Sequence, residues 1–355
     1  MREDWLKSEL AMLPLQPAVL EAIRNRRILV TGATGLIGSY LIHVLMYLNE
    51  RFHTCVSVTA LCRSECKARE LFGQYMDGNG LAVCIHDVTE PFRDGIDADF
   101  IIHAASPADP RSFSVMPVET MLSNILGTRN LLEAVRRCGH GRLLYLSTGE
   151  VYGELEGVSC KQEHMSGYVD PMDPRSCYPC SKRAGETLCS SYGSEFGVDS
   201  VVARLCYVFG PTITSANSRA DAQFLRNAAA GEDIVMKSEG LQRRSYCYVG
   251  DAVTALLSIL VLGKSGEAYN VACPDCVVSI REYAETLADI AGVSLRFQLP
   301  DSVEKQGYSR ISHAVLSADK LLELGWKSCF SLREGLLRTY CFYKSRLEDQ
   351  HVVRA

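Results

Sequence analysis

The stretch Thr31-Gly32-Ala33-Thr34-Gly35-Leu36-Ile37-Gly38 carries three glycines in the pattern G-x-x-G-x-x-G. It follows the short apolar run Ile28 to Val30, and such runs are typical of strands buried on both faces of a parallel sheet. It precedes Leu36 to Leu48, an apolar segment with the length of a helix. The stretch therefore lies where a strand passes into a helix, which is the context that makes a glycine pattern informative.

This junction predicts a loop that binds the phosphates of a dinucleotide. The first two glycines let the chain turn and let backbone N–H groups approach a pyrophosphate, and Gly38 lets the helix pack closely on the strand. The phosphates then lie at the positive end of the helix dipole. The residues predicted to contact the cofactor in this loop are Gly32, Thr34, Gly35, Leu36, Ile37 and Gly38.

Strand-like and helix-like segments alternate after the loop. Further short apolar runs are Val56 to Leu61, Leu81 to Ile85, Phe100 to Ile102, Leu143 to Leu146 and Val198 to Ala203. Helical segments lie between them, at Val118 to Arg137 and Ser181 to Tyr192. This alternation predicts an α/β fold, a doubly wound parallel Rossmann sheet with a smaller C-terminal substrate-binding lobe.

We expect the chain to divide into three parts. They are an N-terminal helical extension at 1–26, a dinucleotide-binding domain at 27–206 plus about 245–271, and a substrate-binding lobe at 207–244 plus 272–345. In the second part, Tyr246 to Leu262 and Glu267 to Val271 are expected to return to the main sheet. A cleft then lies between the two larger parts, where ligands usually bind.

The composition is ordinary for a soluble globular protein, with 47% hydrophobic and 22% charged residues. A net charge of -5, with 37 basic residues, argues against nucleic acid as the main ligand. The longest apolar runs, such as Ala255 to Leu262, are too short to span a bilayer. Early charges at Arg2, Glu3 and Asp4 are not typical of a signal peptide. We therefore expect no membrane partner and a cytoplasmic location.

Fifteen cysteines include two pairs with C-x-x-C spacing, Cys177 with Cys180 and Cys273 with Cys276. A zinc site would need four thiolates to converge, and the two pairs lie far apart in sequence. Each pair also has a local structural explanation, since one flanks Tyr178 at a helix start and the other surrounds a Pro-Asp turn. We therefore expect no metal site.

The end of the second strand bears on the form of the dinucleotide. An acidic residue usually binds the adenosine ribose there, but this chain reads Ala60-Leu61-Cys62-Arg63. Arg63 can bind a 2′-phosphate, which favours NADP, or it can stack on adenine. NAD is the expected cofactor, and NADP stays open because of Arg63. Asp87, after the third strand, is a candidate for binding the adenine amino group.

A catalytic group is predicted from Tyr178 and Lys182, which form Tyr-x-x-x-Lys at the start of a helical segment. Positions i and i+4 share one helix face, so the ammonium can lower the phenol pKa from about 10 towards neutrality. Tyr178 can then accept a proton from a substrate hydroxyl while hydride leaves for the nicotinamide. Thr148, at the end of a strand, offers a hydroxyl to the same substrate oxygen.

The chain also resembles the extended short-chain dehydrogenases/reductases that act on nucleotide sugars, the NAD-dependent epimerase/dehydratase family. The matching stretches are Gly32 to Gly38, His103 to Ser106, Asn124 with Gly127 to Glu133, Ser147 to Gly153, Tyr178 with Lys182, and Phe209 to Pro211. The resemblance implies a nucleotide-sugar substrate. It also implies further cofactor contacts from Val88, Ala104, Ala105, Ser106 and Asn124, with Ser106 touching substrate as well.

The residues after Thr148 bear on the reaction. Sugar 4,6-dehydratases of this family carry Asp then Glu there, and UDP-glucuronate decarboxylases carry Ser then Glu. This chain has Gly149 then Glu150, and epimerases usually lack an acid at the second position. Glu150 is therefore a candidate catalytic residue. The stretches Ala105 to Pro110 and Pro174 to Tyr178 are similar to the decarboxylase branch.

Three side chains are candidates for holding the substrate. Arg175 and Arg244 suit a carboxylate or diphosphate, because forked guanidinium groups bind both, although a surface ion pair is the alternative for each. Tyr207 stands where many family members have an asparagine that often touches the sugar phosphate. This position departs from the family pattern, as Gly149 does.

The resemblance implies a UDP-glucuronate decarboxylase-like enzyme that oxidises the sugar C4, loses carbon dioxide and forms UDP-xylose or a 4-keto-pentose. The alternatives are a nucleotide-sugar 4-epimerase or 4,6-dehydratase and, in a different class, a non-catalytic cofactor-binding regulatory protein. The helices at Val118 to Arg137 and Ser181 to Tyr192 are those this family uses for a dimer interface, which implies a homodimer.

Overall fold

The structure is a computed structural model that describes residues 3–76, 78, 80–93, 95–212, 217–298 and 313–354. A seven-stranded parallel sheet forms its centre, as predicted. The strands are β1 (Arg27–Thr31), β2 (Ser57–Cys62), β3 (Leu81–Ile85), β4 (Phe100–His103), β5 (Arg142–Thr148), β6 (Asp199–Leu205) and β10 (Ala268–Val271). Their order is β10-β6-β5-β4-β1-β2-β3, and every neighbouring pair is parallel.

Helices cover both faces of this sheet. In the described residues the α-helices, some of which lie in the smaller lobe, are α1 (Glu3–Leu10), α2 (Pro17–Ile23), α3 (Leu36–Phe52), α4 (Glu65–Met76), α5 (Pro110–Val115), α6 (Pro117–Cys138), α7 (Cys177–Phe196), α8 (Ala220–Ala229), α9 (Val249–Leu262), α10 (Ile280–Ala291), α11 (Asp319–Leu322) and α12 (Leu332–Arg354). Side chains of α3, α4 and α9 pack into the core on one face, and those of α6 and α7 pack into a second core on the other. The doubly wound arrangement explains why β1 reads as a continuous apolar run, because Ile28, Leu29 and Val30 are all buried.

The smaller lobe contains two further sheets. Its strands are β7 (Tyr207–Phe209), β8 (Ile234–Met236), β9 (Arg243–Tyr248), β11 (Val277–Ser279), β12 (Leu295–Phe297) and β13 (His313–Ala314). In one sheet, β9 pairs with β7, β11 and β13, and in the other β8 pairs with β12. The lobe predicted at 207–244 plus 272–345 also includes residues 213–216 and 299–312, which lie outside the described residues.

One segment that we predict to join the main sheet pairs with a strand of the smaller lobe instead. Tyr246 was expected in the main sheet, but it lies in β9 and pairs with Tyr207 of β7. Only α9 and β10 of the predicted segments return to the main sheet, where β10 pairs with β6. The reason is tertiary, since the buried half of β9, Tyr246 to Tyr248, suits a strand in either sheet and its hydrogen-bonding partner decides between them.

Two short helices form the N-terminal extension. Glu9 of α1 is fully buried, and its carboxylate accepts hydrogen bonds from the hydroxyls of Tyr40 (3.2 Å) and Tyr248 (2.6 Å). Its other oxygen pairs with the guanidinium of Arg338 at 2.7 Å. Because these partners belong to α3, β9 and α12, the extension is part of the core. In the described residues, none of the helices combines the length and the apolar character that crossing a bilayer requires.

Candidate active site

A cavity of about 570 Å³ opens at the carboxyl edge of the main sheet. Its walls come from the loop after β1, from the segments that follow β2, β3 and β4, and from the end of β5 and the start of α7. The strand order reverses between β1 and β4, and such switch points are the usual ligand sites of open α/β sheets. Of the residues predicted to bind cofactor, the lining includes Gly32, Thr34, Gly35, Leu36, Ile37, Gly38, Arg63, Asp87, Val88, Ala104, Ala105, Ser106, Tyr178 and Lys182.

The glycine loop has no room for side chains at two positions. Gly32 has a φ of +64°, and an added Cβ would lie 2.7 Å from the backbone of Ala104. A Cβ added to Gly38 would overlap the carbonyl oxygen of Gly32. Gly35 precedes α3 and provides no side-chain cap, so the first N–H groups of this helix lack helical partners next to the cavity. A bare backbone at a helix amino end fits a pyrophosphate.

Tyr178 and Lys182 lie in the first turns of α7, as the spacing predicts. Both side chains are buried, and both line the cavity. The Lys182 ammonium donates a hydrogen bond to the carbonyl oxygen of Leu146 at 2.7 Å and lies 6.0 Å from the centre of the Tyr178 ring. The hydrogen bond to β5 fixes the lysine beneath the tyrosine, so the pair is held by the sheet as well as by the helix.

The pKa of Tyr178 differs from the sequence-based expectation. It is raised to about 12, first because burial disfavours the phenolate and then because the Glu150 carboxylate repels it. The nearby Thr148 hydroxyl acts in the opposite direction. Burial also lowers the pKa of Lys182 to about 7. The expected lowering by Lys182 is therefore outweighed in the protein by desolvation of both groups.

Two candidate residues, Glu150 and Arg175, bind each other beside Tyr178. A guanidinium nitrogen of Arg175 lies 3.0 Å from the Glu150 carboxylate. The same guanidinium stacks over Phe113 at 4.7 Å, and Tyr178 stacks on that ring with ring centres 4.4 Å apart. Neither Glu150 nor Arg175 lines the cavity. Both lie in the layer of side chains next to the end of the cavity that contains Tyr178.

Tyr207 lies between two arginines at the entrance to the lobe. The Arg244 guanidinium is 4.4 Å from the centre of its ring, and the Arg219 guanidinium is 5.9 Å away. Arg244 also donates a hydrogen bond to Gln242 at 2.9 Å. Arg219 lines the cavity, whereas Tyr207 and Arg244 do not. The arrangement places two positive charges around one aromatic ring, which suits an anionic substrate group.

Asn124 is placed away from the cavity lining. It is fully buried in α6, and its side-chain amide donates a hydrogen bond to the hydroxyl of Ser181 in α7 at 2.9 Å. Ser181 in turn bonds to the carbonyl oxygen of Tyr178 at 3.1 Å. Asn124 therefore braces the helix that carries Tyr178 and Lys182.

Sequence reasoning missed three cations at the site. Arg219 and Lys67 line the cavity, and the buried Lys161 donates a hydrogen bond to the carbonyl oxygen of Gly153 at 3.2 Å. Gly153 ends the short 3-10 turn Gly149–Tyr152 that carries Glu150. Burial lowers the pKa of Lys161, and the Glu150 carboxylate opposes that shift. Of these three residues, only Lys67 could have been suggested by the sequence. It lies four residues after Arg63, close to where the usual ribose-binding acid is missing.

The cysteines form no recognisable ion site. All fifteen are free, and Cys273 and Cys276 both point their thiols at the carbonyl oxygen of Phe330. Across the described ranges, no three His, Cys, Asp or Glu side chains converge in a way that could hold a metal.

The fold, the glycine loop and the placement of the Tyr-Lys pair define a protein with a Rossmann-type dinucleotide-binding domain. The chain belongs to the NAD dependent epimerase/dehydratase family, whose model matches residues 28–272. The family predicted from the sequence is thus confirmed. Members of this family modify nucleotide sugars with the help of NAD.

Relatives of known activity include UDP-glucuronic acid decarboxylases. The chain is 32% identical to UDP-glucuronic acid decarboxylase 1 of Danio rerio over 352 residues, 99% of this chain and 81% of that protein. It is 33% identical to UDP-glucuronic acid decarboxylase 6 of Arabidopsis thaliana over 312 residues, 88% of this chain and 87% of that protein.

Solved structures confirm the fold. DesIV, a dTDP-glucose 4,6-dehydratase from Streptomyces venezuelae solved with NAD bound, superposes with a TM-score of 0.78 at 23% identity, covering 91% of this chain and 98% of that one. The UDP-glucuronic acid 4-epimerase from Bacillus cereus, in complex with UDP-glucuronic acid and NAD, gives a TM-score of 0.76 at 23% identity, with coverages of 90% and 99%.

Proposed function

We propose that this chain oxidises the C4 hydroxyl of a nucleotide sugar with a bound nicotinamide dinucleotide, and that its reaction is the decarboxylation of UDP-glucuronate. The observation that carries the proposal is the buried Tyr178, beside Thr148 and one helical turn before Lys182, in the same cavity as the glycine loop. The identity to UDP-glucuronic acid decarboxylases over most of the chain supports the choice of reaction.

Tyr178 and Thr148 act on the C4 oxygen. Thr148 hydrogen-bonds to the hydroxyl, and Tyr178 accepts its proton when hydride leaves C4. The dinucleotide, when bound, supplies the hydride acceptor and a positive charge that opposes the raised pKa of Tyr178. Lys182 holds the position of the tyrosine through its bond to β5 and supports the phenolate once that charge forms.

Decarboxylation follows from the position of the ketone. A ketone at C4 is β to the carboxylate on C5, so the C5–carboxylate bond can break and leave its electron pair in an enolate. Carbon dioxide departs, C5 takes up a proton with the help of Glu150 or a water molecule, and the ketone either regains hydride to give UDP-xylose or leaves as the 4-keto-pentose. Return of the hydride makes the reaction redox-neutral overall.

Arg175, Arg244 and Arg219 are the proposed substrate anchors, with Ser106 and Tyr207 beside them. Arg175 is held by Glu150 at 3.0 Å, so a substrate carboxylate must compete for this guanidinium. That exchange would free Glu150 next to the reacting carbons, with Arg219 and the buried Lys161 as neighbouring cations. Arg219 and Arg244 would bind the diphosphate around Tyr207.

The 4,6-dehydratase alternative is less well supported by the site. Dehydratases of the family carry an Asp at the position of Gly149, and here a Cβ would already lie 3.2 Å from the side chain of Leu316. An aspartate would therefore have to displace that leucine. The 4-epimerase shares the first step, and a non-catalytic cofactor-binding protein would leave Tyr178 and Lys182 without a role.

Product analysis with UDP-glucuronate tests the proposal. The protein is incubated with UDP-glucuronate and dinucleotide, and the sugar nucleotide is measured by mass spectrometry together with released carbon dioxide. Loss of carbon dioxide is the expected result, while an isomer of unchanged mass would indicate an epimerase and loss of water a dehydratase. If no nucleotide sugar is converted although the dinucleotide binds, or if Tyr178→Phe keeps the full activity of the unchanged protein, the regulatory alternative is favoured.

A homodimer through α6 and α7 is part of the proposal. These two helices pack against each other, and α6 leaves Val118 and Leu122 exposed. Exposed apolar side chains on one helix face are typical of an interaction surface. Light scattering of the purified chain should give twice the mass of 39.2 kDa, and a monomeric mass at micromolar concentration would contradict this part.

A further inference from the structure

At the end of the cavity where the adenosine is expected, the residues after β2 differ from those of a usual NAD site, in which both ribose hydroxyl groups are bound. β2 ends at Cys62, where a carboxylate usually accepts hydrogen bonds from the ribose hydroxyls. The buried Cys62 thiol instead donates to the carbonyl oxygen of Ser64 at 3.5 Å. No acidic side chain therefore follows β2 before α4 begins at Glu65.

Two cations line the cavity at this point. Arg63 follows β2 directly, and Lys67 lies in the first turn of α4. The Lys67 ammonium makes no hydrogen bond or ion pair with any residue in the described part of the chain, and the Arg63 side chain is 79% exposed. Both groups are therefore available to an anion that enters from solvent.

The Asp87 carboxylate, which faces Arg63, is engaged mainly by Thr89. Asp87 accepts hydrogen bonds from the backbone N–H (2.9 Å) and the hydroxyl (2.8 Å) of Thr89, both through the same oxygen. Its other oxygen lies 3.9 Å from Arg63, at the outer limit of an ion pair between exposed groups, and such pairs contribute little. A phosphate, with a charge near −2, would compete effectively for the guanidinium.

We propose that Arg63 and Lys67 form a subsite for a phosphate on the 2′-oxygen of the adenosine ribose, so that this chain prefers NADP to NAD. The inference rests on the proposed dinucleotide site and specifies which form of the dinucleotide binds there. Arg63 supplies the forked guanidinium that suits a phosphate, and Lys67 adds a second charge. The solved neighbours described above contain NAD, so this preference would separate the chain from them.

Two adenosine fragments test the subsite without requiring turnover. Calorimetric titration compares 2′,5′-ADP, which carries the 2′-phosphate, with 5′-AMP, which lacks it. We expect 2′,5′-ADP to bind at least about tenfold more tightly, the size of one good charge-assisted contact. Arg63→Ala should weaken 2′,5′-ADP about tenfold and 5′-AMP less than about twofold, and Lys67→Ala should have a smaller effect of the same kind.

Arg69→Ala is the matched control, because Arg69 lies in the same helix and pairs with Glu65 at 2.6 Å but does not line the cavity. It should leave both affinities unchanged. Equal affinities for the two fragments, or an Arg63→Ala loss that is the same for both, would overturn the subsite, since the guanidinium would then only stack on adenine. If neither fragment binds, the dinucleotide site itself is wrong. A missing reaction with normal fragment binding would affect only the proposed function.

Discussion

The two ends of the cavity differ in burial and in charge. At the reactive end Tyr178, Lys182 and His103 are each no more than 5% exposed, and burial shifts their pKa values towards the neutral forms. At the adenosine end the Arg63 side chain is 79% exposed and that of Asp87 is 39% exposed. One end therefore excludes water from its polar groups, and the other displays charge in water.

This difference separates two ways of recognising a ligand. In the buried end a new charge interacts strongly with its neighbours, so the groups there are suited to stabilising charges that appear only during reaction. At the exposed end salt screens the charges, so recognition depends on direct contacts and on ionic strength. Substitutions at the reactive end should therefore have large effects, and those at the adenosine end small ones.

The largest effect is expected for Tyr178→Phe. Removal of the hydroxyl deletes the proton acceptor but keeps the ring that stacks on Phe113 at 4.4 Å. Turnover of UDP-glucuronate, followed by product formation, should fall by about a thousandfold or more, while calorimetric binding of the nucleotide sugar changes little. Tyr192→Phe, in the same helix but far from the cavity, is the control. Turnover within a few-fold of the unchanged protein would remove Tyr178 from the reaction.

Acid should destabilise the folded protein strongly through two buried histidines, His103 beside the reactive end and His43 between α3 and α4. Burial lowers the pKa values of His43 and His103 from 6.5 to about 3, so the folded state binds fewer protons than the unfolded state between these values. Stability is therefore present above pH 6.5 and lost as the pH falls towards 3, by about 2–3 kcal/mol per histidine at pH 4.5. Chemical denaturation at pH 7 and pH 4.5 measures this difference.

Two histidine variants sharpen this test. His43→Gln should reduce the pH dependence, because one of the two buried groups is removed. His140→Gln should leave it unchanged, since that side chain is 46% exposed. A free energy of unfolding that is the same at both pH values would show that the two rings are not buried in the neutral form.

Gly32, in the loop between the two ends, should tolerate no Cβ. Gly32→Ala places a side chain at a φ of +64° and 2.7 Å from the backbone of Ala104. We expect a loss of about 2 kcal/mol or more in the free energy of unfolding and at least tenfold weaker binding of dinucleotide. Gly73→Ala in α4 is the matched control, because its Cβ meets no atom within 4 Å, and it should be neutral or stabilise by up to about 1 kcal/mol. Equal effects of both changes would contradict the close approach.

Glu150→Gln tests the neighbour of the buried end. The change keeps the shape but removes the charge that pairs with Arg175 at 3.0 Å. Turnover should fall about 10–100-fold with little change in the free energy of unfolding, since an amide can still bond to the guanidinium. Glu154→Gln, four residues further on and exposed, should have no effect on turnover. An unchanged rate for Glu150→Gln would show that Glu150 does not deliver the proton to C5, and water would then be the proton donor.

The smallest effect is expected at the adenosine end. Arg69→Ala breaks the ion pair with Glu65, in which the side chains are 68% and 59% exposed. The free energy of unfolding should change by less than about 0.5 kcal/mol, and less still in high salt. Denaturation at two salt concentrations measures it. A loss above about 1 kcal/mol would mean that the exposed end is more rigid than its burial indicates.

Local patterns were enough to predict the main sheet and the placement of Tyr178 and Lys182 at the start of a helix. Apolar runs locate β1 to β6, and the glycine stretch locates the loop, because both signals lie within a few neighbouring residues. Tyr178 and Lys182 share a helix face through their spacing alone. The family follows from the same motifs, since they recur at fixed places in the fold.

Features that depend on distant partners were not predictable. β9 pairs with β7 in the lobe because of contacts made across about forty residues, which its own sequence does not encode. The raised pKa of Tyr178 arises from burial and from Glu150, whereas spacing indicates only Lys182. The pairing of Glu150 with Arg175, two separate candidates, likewise appears only when the loops meet.

The buried carboxylate of Glu9 has a consequence for synthesis of the chain. Its cationic partner Arg338 lies 329 residues later, and a fully buried carboxylate without its cation is strongly unfavourable. A ribosome makes α1 first and α12 much later, so during translation the first helix cannot settle into its final place. We therefore expect α1 to reach its final place only after α12 has been made.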